Sequence, residues 1–230
     1  VSVAGSTVRT LIPRQRGAGM HNVMANIVTA NIDGLILAAG RSRRMNGGDK
    51  LLALLGGKTL VEHVVSRLQP QVSHLFINVT PSAGAELKAR TSLDCPLIAD
   101  QGDDYCGPLM GLWSALVSGK LSDAEYLAVV PCDGPFLPPT LVRELHAAAT
   151  RSDADVACVR YGGVPQPTFS LWHKRALGAI EKAVARDRQG SLKAQIARLD
   201  SVYVDWPEAT INPFFNINTP QELALAQQSI

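Results

Sequence analysis

The chain has 230 residues, a length that suits one domain with room for a tail. Its composition, 46% hydrophobic and 18% charged, excludes a disordered chain and supplies enough apolar surface for an unaided core. A net charge of +2 excludes a global attraction to nucleic acid or to a membrane surface, so any electrostatic function has to be local. The four cysteines (Cys95, Cys106, Cys132 and Cys158) form no C-x-x-C pair, and neither they nor the five histidines fall at zinc-ligand spacing. They read as single small apolar residues of a reducing, cytoplasmic compartment. No apolar run approaches the roughly 18 residues of a membrane span.

Residues 1–31 stand apart. They show no sustained period, and Arg9, Arg14 and Arg16 meet no acid before Asp33. This stretch is expected to be a disordered or non-native extension, with a transit peptide as a competing reading. The folded domain is expected over 32–230. It opens on the apolar run GLILAA, read as a buried parallel strand ending in small residues. Gly56-Gly57 reads as a turn and Thr59 as the cap of an amphipathic helix, Leu60–Leu68. His74–Val79 is a second strand, AELKARTS a short helix and Pro96–Asp100 a third strand. Pro108–Gly119 is a helix with Pro near its start and Gly at its end. Tyr126–Asp133 is a fourth strand, Leu137–Thr150 a helix with prolines in its first turn, and Asp155–Arg160 a fifth strand. Gln166–Trp172 can form a strand, two helical stretches follow (173–187 and 191–199), and Ser201–Trp206 is a late strand. Gln221–Gln228 is a terminal helix capped by Thr219. Strands alternating with helices predict an α/β, three-layer, doubly wound and mostly parallel sheet.

In such a sheet ligands bind beyond the carboxyl ends of the strands. The first strand ends in Leu37-Ala38-Ala39-Gly40, small residues whose N–H groups can cradle phosphate. Arg41, Arg43, Arg44 and Lys50 follow within a few residues, and arginine forks match phosphate geometry. A tight turn with solvated arginines is the other reading. Neither G-x-G-x-x-G nor a P-loop is present; Gly57-Lys58-Thr59 lacks the glycine that a P-loop needs at Leu52. Asn78 and Asp100 stand at the next two strand ends, where an amide and a carboxylate can read a nucleoside or simply form turns. Asp133 is the sharpest feature, because an apolar strand runs straight into a carboxylate. It can hold Mg²⁺ together with substrate phosphates, or it can bond the Gly134-Pro135 turn. His63 and His146 fall in helices and read as packed or surface residues, while His173 stays open.

LAAGRSRRMNGGDK is similar to the L-A-[G/A]-G-x-S-x-R-M-x₃-D-K signature of the molybdopterin nucleotidyltransferases. LLALLGGKTLVEHV, GPLMGLWSAL, PCDGPFLP, QPTFSLW and FFNINTPQEL extend the likeness from Ile32 to Ile230, and the order and spacing resemble the molybdenum cofactor guanylyltransferases. The resemblance implies a Rossmann-like nucleotidyltransferase fold and an enzyme that uses GTP and Mg²⁺. It implies transfer of GMP to the terminal phosphate of molybdopterin with release of pyrophosphate. Carried over, Leu37, Ala38 and Ala39 contact the nucleotide, Lys50 binds the phosphates, and Asn78 and Asp100 bind the nucleoside part. Asp133 binds nucleotide and metal, so Lys50 and Asp133 are the catalytic pair. Gln166, Thr168, Asn216 and Asn218 match segments on the pterin side. The implied partners are a molybdopterin-delivering protein and acceptor molybdoenzymes or their chaperones, with no nucleic acid and no membrane. The loop departs from the guanylyl branch in carrying Ala39 where that branch usually has Gly. The alternatives are a cytidylyltransferase acting on molybdopterin or a small alcohol or sugar phosphate, and a non-catalytic nucleotide-binding regulator.

Overall fold

A computed structural model describes residues 8–11, 31–40, 50–101, 107–188 and 190–230. Among them are ten strands: β1 (Val8–Leu11), β2 (Ile32–Leu37), β3 (Leu54–Leu55), β4 (Lys58–Thr59), β5 (His74–Val79), β6 (Leu97–Ala99), β7 (Tyr126–Pro131), β8 (Val156–Tyr161), β9 (Val164–His173) and β10 (Ser201–Trp206). The α-helices are α1 (Leu60–Leu68), α2 (Pro81–Arg90), α3 (Pro108–Val117), α4 (Leu141–Ser152), α5 (Leu177–Ala185), α6 (Leu192–Ile196) and α7 (Pro220–Gln227). Eight strands form one sheet in the order β1-β10-β8-β9-β7-β2-β5-β6, and β3 and β4 form a separate small hairpin. All neighbours in the large sheet are parallel except β9, which runs antiparallel to both β7 and β8.

Period-two alternation sorts the strand residues into two cores. Ile32 and Ile36 of β2, Ala128 and Val130 of β7, and Ala157 and Val159 of β8 pack with α1, α2 and α4. Leu35, Leu127, Val129, Val156 and Cys158 point to the other face and pack with α3, α5 and α6. The sheet is therefore covered on both faces, as its near-continuous apolar strands require. A third, smaller cluster of Leu55, Leu60, Ile217 and Ala226 ties the β3–β4 hairpin to α7. Burial of the Cys158 thiol in the second core pushes its pKa up to about 12, in keeping with an inert apolar role.

Three expectations need correction. The 1–31 stretch is not wholly apart from the fold, since Val8–Leu11 pairs in parallel with β10 and forms the sheet edge. Helix α4 starts at Leu141, after the prolines. Leu137 and Pro138 each precede a proline, which disfavours helical backbone there, and Pro138 C=O instead accepts from Leu141 N–H at 3.2 Å. Helix α2 starts four residues earlier than expected, with Pro81 in its first turn and the Thr80 hydroxyl accepting from Ala83 N–H.

Asp33 is a buried carboxylate at the amino end of β2, opposite the ligand-binding end. It accepts from Ser122 N–H at 2.8 Å and from the Ser122 hydroxyl at 2.9 Å, and its Oδ1 lies 3.1 Å from His74 Nδ1. Its charge is spent on holding the turn before β7.

Candidate active site

After β2 the chain builds β5 and β6 on one side, then returns to place β7 on the other. The reversal lies between β2 and β7, and a crevice opens at such a switch point. Here it is a cleft of about 280 Å³. Its floor is the carboxyl ends of three strands: Leu37 to Gly40 after β2, Asn78 in β5, and Pro131 to Asp133 after β7. The ends are fastened to one another. Ala38 N–H donates to Asn78 C=O at 2.8 Å and Cys132 N–H donates to Leu37 C=O at 3.1 Å. The small side chains of Ala38, Ala39 and Gly40 leave the backbone open to a ligand.

Lys50 begins a short 3-10 turn whose next two residues, Leu51 and Leu52, are buried and hold it in place. Its ammonium donates to Asp133 Oδ2 and to the Asn218 carboxamide oxygen. Three segments remote in the chain therefore meet at one cation. Burial pushes the Asp133 carboxyl upward and the Lys50 charge opposes that push. Asp133 Oδ1 is buried and has no hydrogen-bond partner. Among the described residues, no group of three or more His, Cys, Asp or Glu is placed to hold a metal. One open carboxylate oxygen at a phosphate-sized cleft fits Mg²⁺, which takes few protein ligands and completes its shell with substrate oxygens and water.

Asn78 lies under α3. Its Nδ2 donates to Asp100 Oδ1 at 2.7 Å and to Ile98 C=O at 3.3 Å. The amide thus fixes the Asp100 carboxylate as well as lining the cleft. Desolvation raises the Asp100 pKa, and the Asn78 hydrogen bond works against it. Helix α3 comes this close because Gly111 has no side chain: a Cβ there would lie 2.3 Å from Asn78 Oδ1. Gly107, with φ of 77°, turns the chain into α3 against Gly190 C=O, which accepts from Leu109 N–H at 3.1 Å.

Of the residues singled out from the sequence, Leu37, Ala38, Ala39, Gly40, Lys50, Asn78, Asp100, Asp133, Thr168 and Asn218 come together at the cleft. Gln166 and Asn216 are not among its lining residues. Gln166 lies on the outer half of β9, with Nε2 donating to Val164 C=O at 3.3 Å. Asn216 packs beside Gly134, and its Oδ1 is buried without a partner. Arg41, Arg43 and Arg44 lie outside the described residues. His173 ends β9 at the far side of the sheet, stacked edge-on against Tyr126. Gly107, Pro108 and Gly111 also line the cleft and were missed. The small-residue spacing in GPLMG was the available signal.

A lysine–carboxylate pair at the switch point of a doubly wound sheet suits a nucleoside triphosphate, and the protein is in this sense of the nucleotidyltransferase class. The model of the MobA-like NTP transferase domain matches residues 34–202, and the chain belongs to that family. It is 35% identical over 196 residues to a molybdenum cofactor guanylyltransferase of Rhodopseudomonas palustris (strain BisB5), covering 84% of this chain and 91% of that one. The fold is shared with the molybdopterin-guanine dinucleotide biosynthesis protein A of Archaeoglobus fulgidus, at a TM-score of 0.70 and 23% identity over 86% of this chain and 97% of that chain. It is also shared with a 4-diphosphocytidyl-2C-methyl-D-erythritol synthase of Anaerococcus prevotii, at a TM-score of 0.65 and 12% identity over 86% and 97%. The fold alone therefore does not choose the base.

Proposed function

We propose that the chain transfers GMP from GTP to the terminal phosphate of molybdopterin, releasing pyrophosphate and forming the molybdopterin guanine dinucleotide. The observation that carries this reading is the meeting of Lys50, Asp133 and Asn218, one from each of three separate motifs, in a single cleft. Likeness to guanylyltransferases over 84% of the chain supports guanine as the base.

In the reaction a terminal phosphate oxygen of molybdopterin attacks the α-phosphorus of GTP. A new P–O bond forms as the bond to the α–β bridging oxygen breaks, and its electron pair leaves on pyrophosphate. Lys50 neutralises phosphate charge, and that charge is greatest as the leaving group forms. Asp133 would hold Mg²⁺ through its open oxygen, and the ion would supply further charge neutralisation on the phosphates. The Ala38-Ala39-Gly40 backbone cradles the nucleotide, with Arg44 assigned to the phosphates. Asn78 and Asp100 hold the nucleoside part. Thr168 and Asn218 line the second-substrate side, and Gln166 and Asn216 are assigned to the pterin around it. Delivery of molybdopterin by a carrier protein, and handover to acceptor molybdoenzymes or their chaperones, belong to the same proposal. No helix among the described residues is long and apolar enough to cross a membrane.

Incubation with molybdopterin, Mg²⁺ and either GTP or CTP tests the reading. Pyrophosphate release with GTP is expected, and release with CTP alone would overturn it. Lys50→Ala is expected to lower turnover or nucleotide affinity about tenfold, ~1.4 kcal/mol. An unchanged rate and affinity would remove the phosphate role.

A further inference from the structure

The chain carries the helix-start pattern T-x-x-E twice, at Thr59–Glu62 and at Thr219–Glu222. In α1 it closes a complete capping box. The Thr59 hydroxyl accepts from Glu62 N–H at 3.3 Å, and Glu62 Oε2 accepts from the Thr59 N–H at 2.7 Å and from its hydroxyl at 2.6 Å. In α7 the first half is the same: the Thr219 hydroxyl accepts from Glu222 N–H at 3.2 Å. The second half differs. Glu222 Oε2 accepts from the Thr219 hydroxyl at 3.1 Å, but its backbone partner is Asn218 N–H, at 2.7 Å. The carboxylate reaches one residue beyond the cap, onto a residue of the cleft.

Asn218 is the residue whose carboxamide oxygen accepts from the Lys50 ammonium. Its own Nδ2 donates to Asn216 C=O at 3.2 Å, and the neighbouring Ile217 N–H donates to Asp133 C=O at 2.9 Å. The strip 216–218 is thus held through Ile217 by the Asp133 turn and through Asn218 by Glu222. A helix cap alone does not require the Asn218 contact, because the Thr59 box in the same molecule is satisfied without one.

We propose that Glu222 is a positioning residue for nucleotidyl transfer: by clamping the Asn218 backbone it aims the Asn218 carboxamide at Lys50 and so sets the place of the phosphate-binding ammonium. This rests on the proposed guanylyl transfer for its kinetic readout, but not for its structural one.

The test compares Glu222→Ala, Glu222→Gln, Asn218→Ala and the double variant Glu222→Ala/Asn218→Ala, with Glu62→Ala as the capping control. Glu222→Ala and Asn218→Ala are each expected to lower kcat about tenfold with far less change in the KM for GTP. The double variant is expected to be no worse than either single one, as for two members of one chain of contacts. Glu222→Gln keeps a carbonyl oxygen that can accept from Asn218 N–H, and it is expected to restore most of the rate. Glu62→Ala is expected to lower Tm and leave kcat alone.

Three results would overturn the proposal: Glu222→Ala behaving like Glu62→Ala, losses that simply add in the double variant, or Glu222→Gln as slow as Glu222→Ala. A readout independent of the reaction is the labelling rate of the Lys50 amine by acetic anhydride in the otherwise intact chain. It is expected to rise roughly threefold in Glu222→Ala and Asn218→Ala and to stay unchanged in Glu62→Ala. If Glu222→Ala fails to fold, Asn218→Ala and Glu222→Gln carry the labelling comparison, with Glu222→Gln expected to match the wild-type chain. If the wild-type chain transfers nothing from GTP, the functional reading fails while labelling still decides the role of Glu222; labelling unchanged in the Asn218 and Glu222 alanine variants would sink it.

Discussion

Asp133→Asn is expected to lower nucleotidyl transfer about a hundredfold or more, ~2.7 kcal/mol of transition-state stabilisation. The substitution is nearly isosteric, so the turn after β7 keeps its shape and Asp133 C=O still accepts from Ile217 N–H. What changes is charge. The open, buried oxygen loses most of its attraction for a divalent cation, and Lys50 loses its anionic partner. Tm should move much less than the rate, because burial already works against the ionised form of this carboxyl. Steady-state rates measured across a range of Mg²⁺ concentrations check this. A variant with full turnover at the same Mg²⁺ requirement would remove Asp133 from the metal role.

The second large effect is expected at a residue with no polar atom in its side chain. Gly111→Ala would put a Cβ 2.3 Å from Asn78 Oδ1 and 2.9 Å from Leu37 Cδ2. Both neighbours are at the cleft, and Asn78 is buried and tied to Asp100 and to Ile98 C=O, so it has little room to give way. Overpacking of this kind costs about 1–3 kcal/mol. Alanine in place of glycine inside a helix recovers up to ~1 kcal/mol, so net stability should fall only modestly. The damage is local to the end of the cleft lined by Asn78 and Asp100, where the nucleoside is proposed to bind. GTP affinity measured by calorimetry is expected to drop about thirtyfold, ~2 kcal/mol. Wild-type affinity in a folded Gly111→Ala chain would show that Asn78 and Asp100 do not need their present geometry.

Much of this was readable before any coordinates. Helix α1 and strand β5 fall on the expected residues, because Leu60–Leu68 shows apolar spacing at the helical period and HLFINV is a short, mostly apolar run. The doubly wound sheet followed from the alternation of such segments, and the switch-point rule pointed to the residues that line the cleft. What was not readable has physical reasons. The strand expected over Gln166–Trp172 is present as β9, but it begins earlier, at Val164 in a half-exposed, proline-bearing stretch, and its antiparallel course was not foreseen. The Gly162-Gly163 pair before it, with φ of 55° and 76°, is a two-residue hairpin turn and was the overlooked clue to its antiparallel course. Strand β1 is too short and too far from its partner in sequence to announce itself. The pairing of Lys50 with Asn218 could not be read at all, since spacing along a chain says nothing about which distant motifs share a cation. Arg44 lies outside the described residues, so the basic loop of the sequence is represented at the cleft by Lys50.

The long reach of that contact bears on synthesis. Strand β10 ends at Trp206, so every strand of the large sheet exists before Asn218 is made. Lys50 and Asn218 are separated by 168 positions, and domains emerging from the ribosome begin folding from their amino-terminal side. A nascent chain that ends between β10 and residue 218 still lacks the carboxamide that accepts from the Lys50 ammonium, and the helix whose Glu222 accepts from Asn218 N–H. The Lys50–Asn218 contact can therefore form only after every described strand of the large sheet has been made.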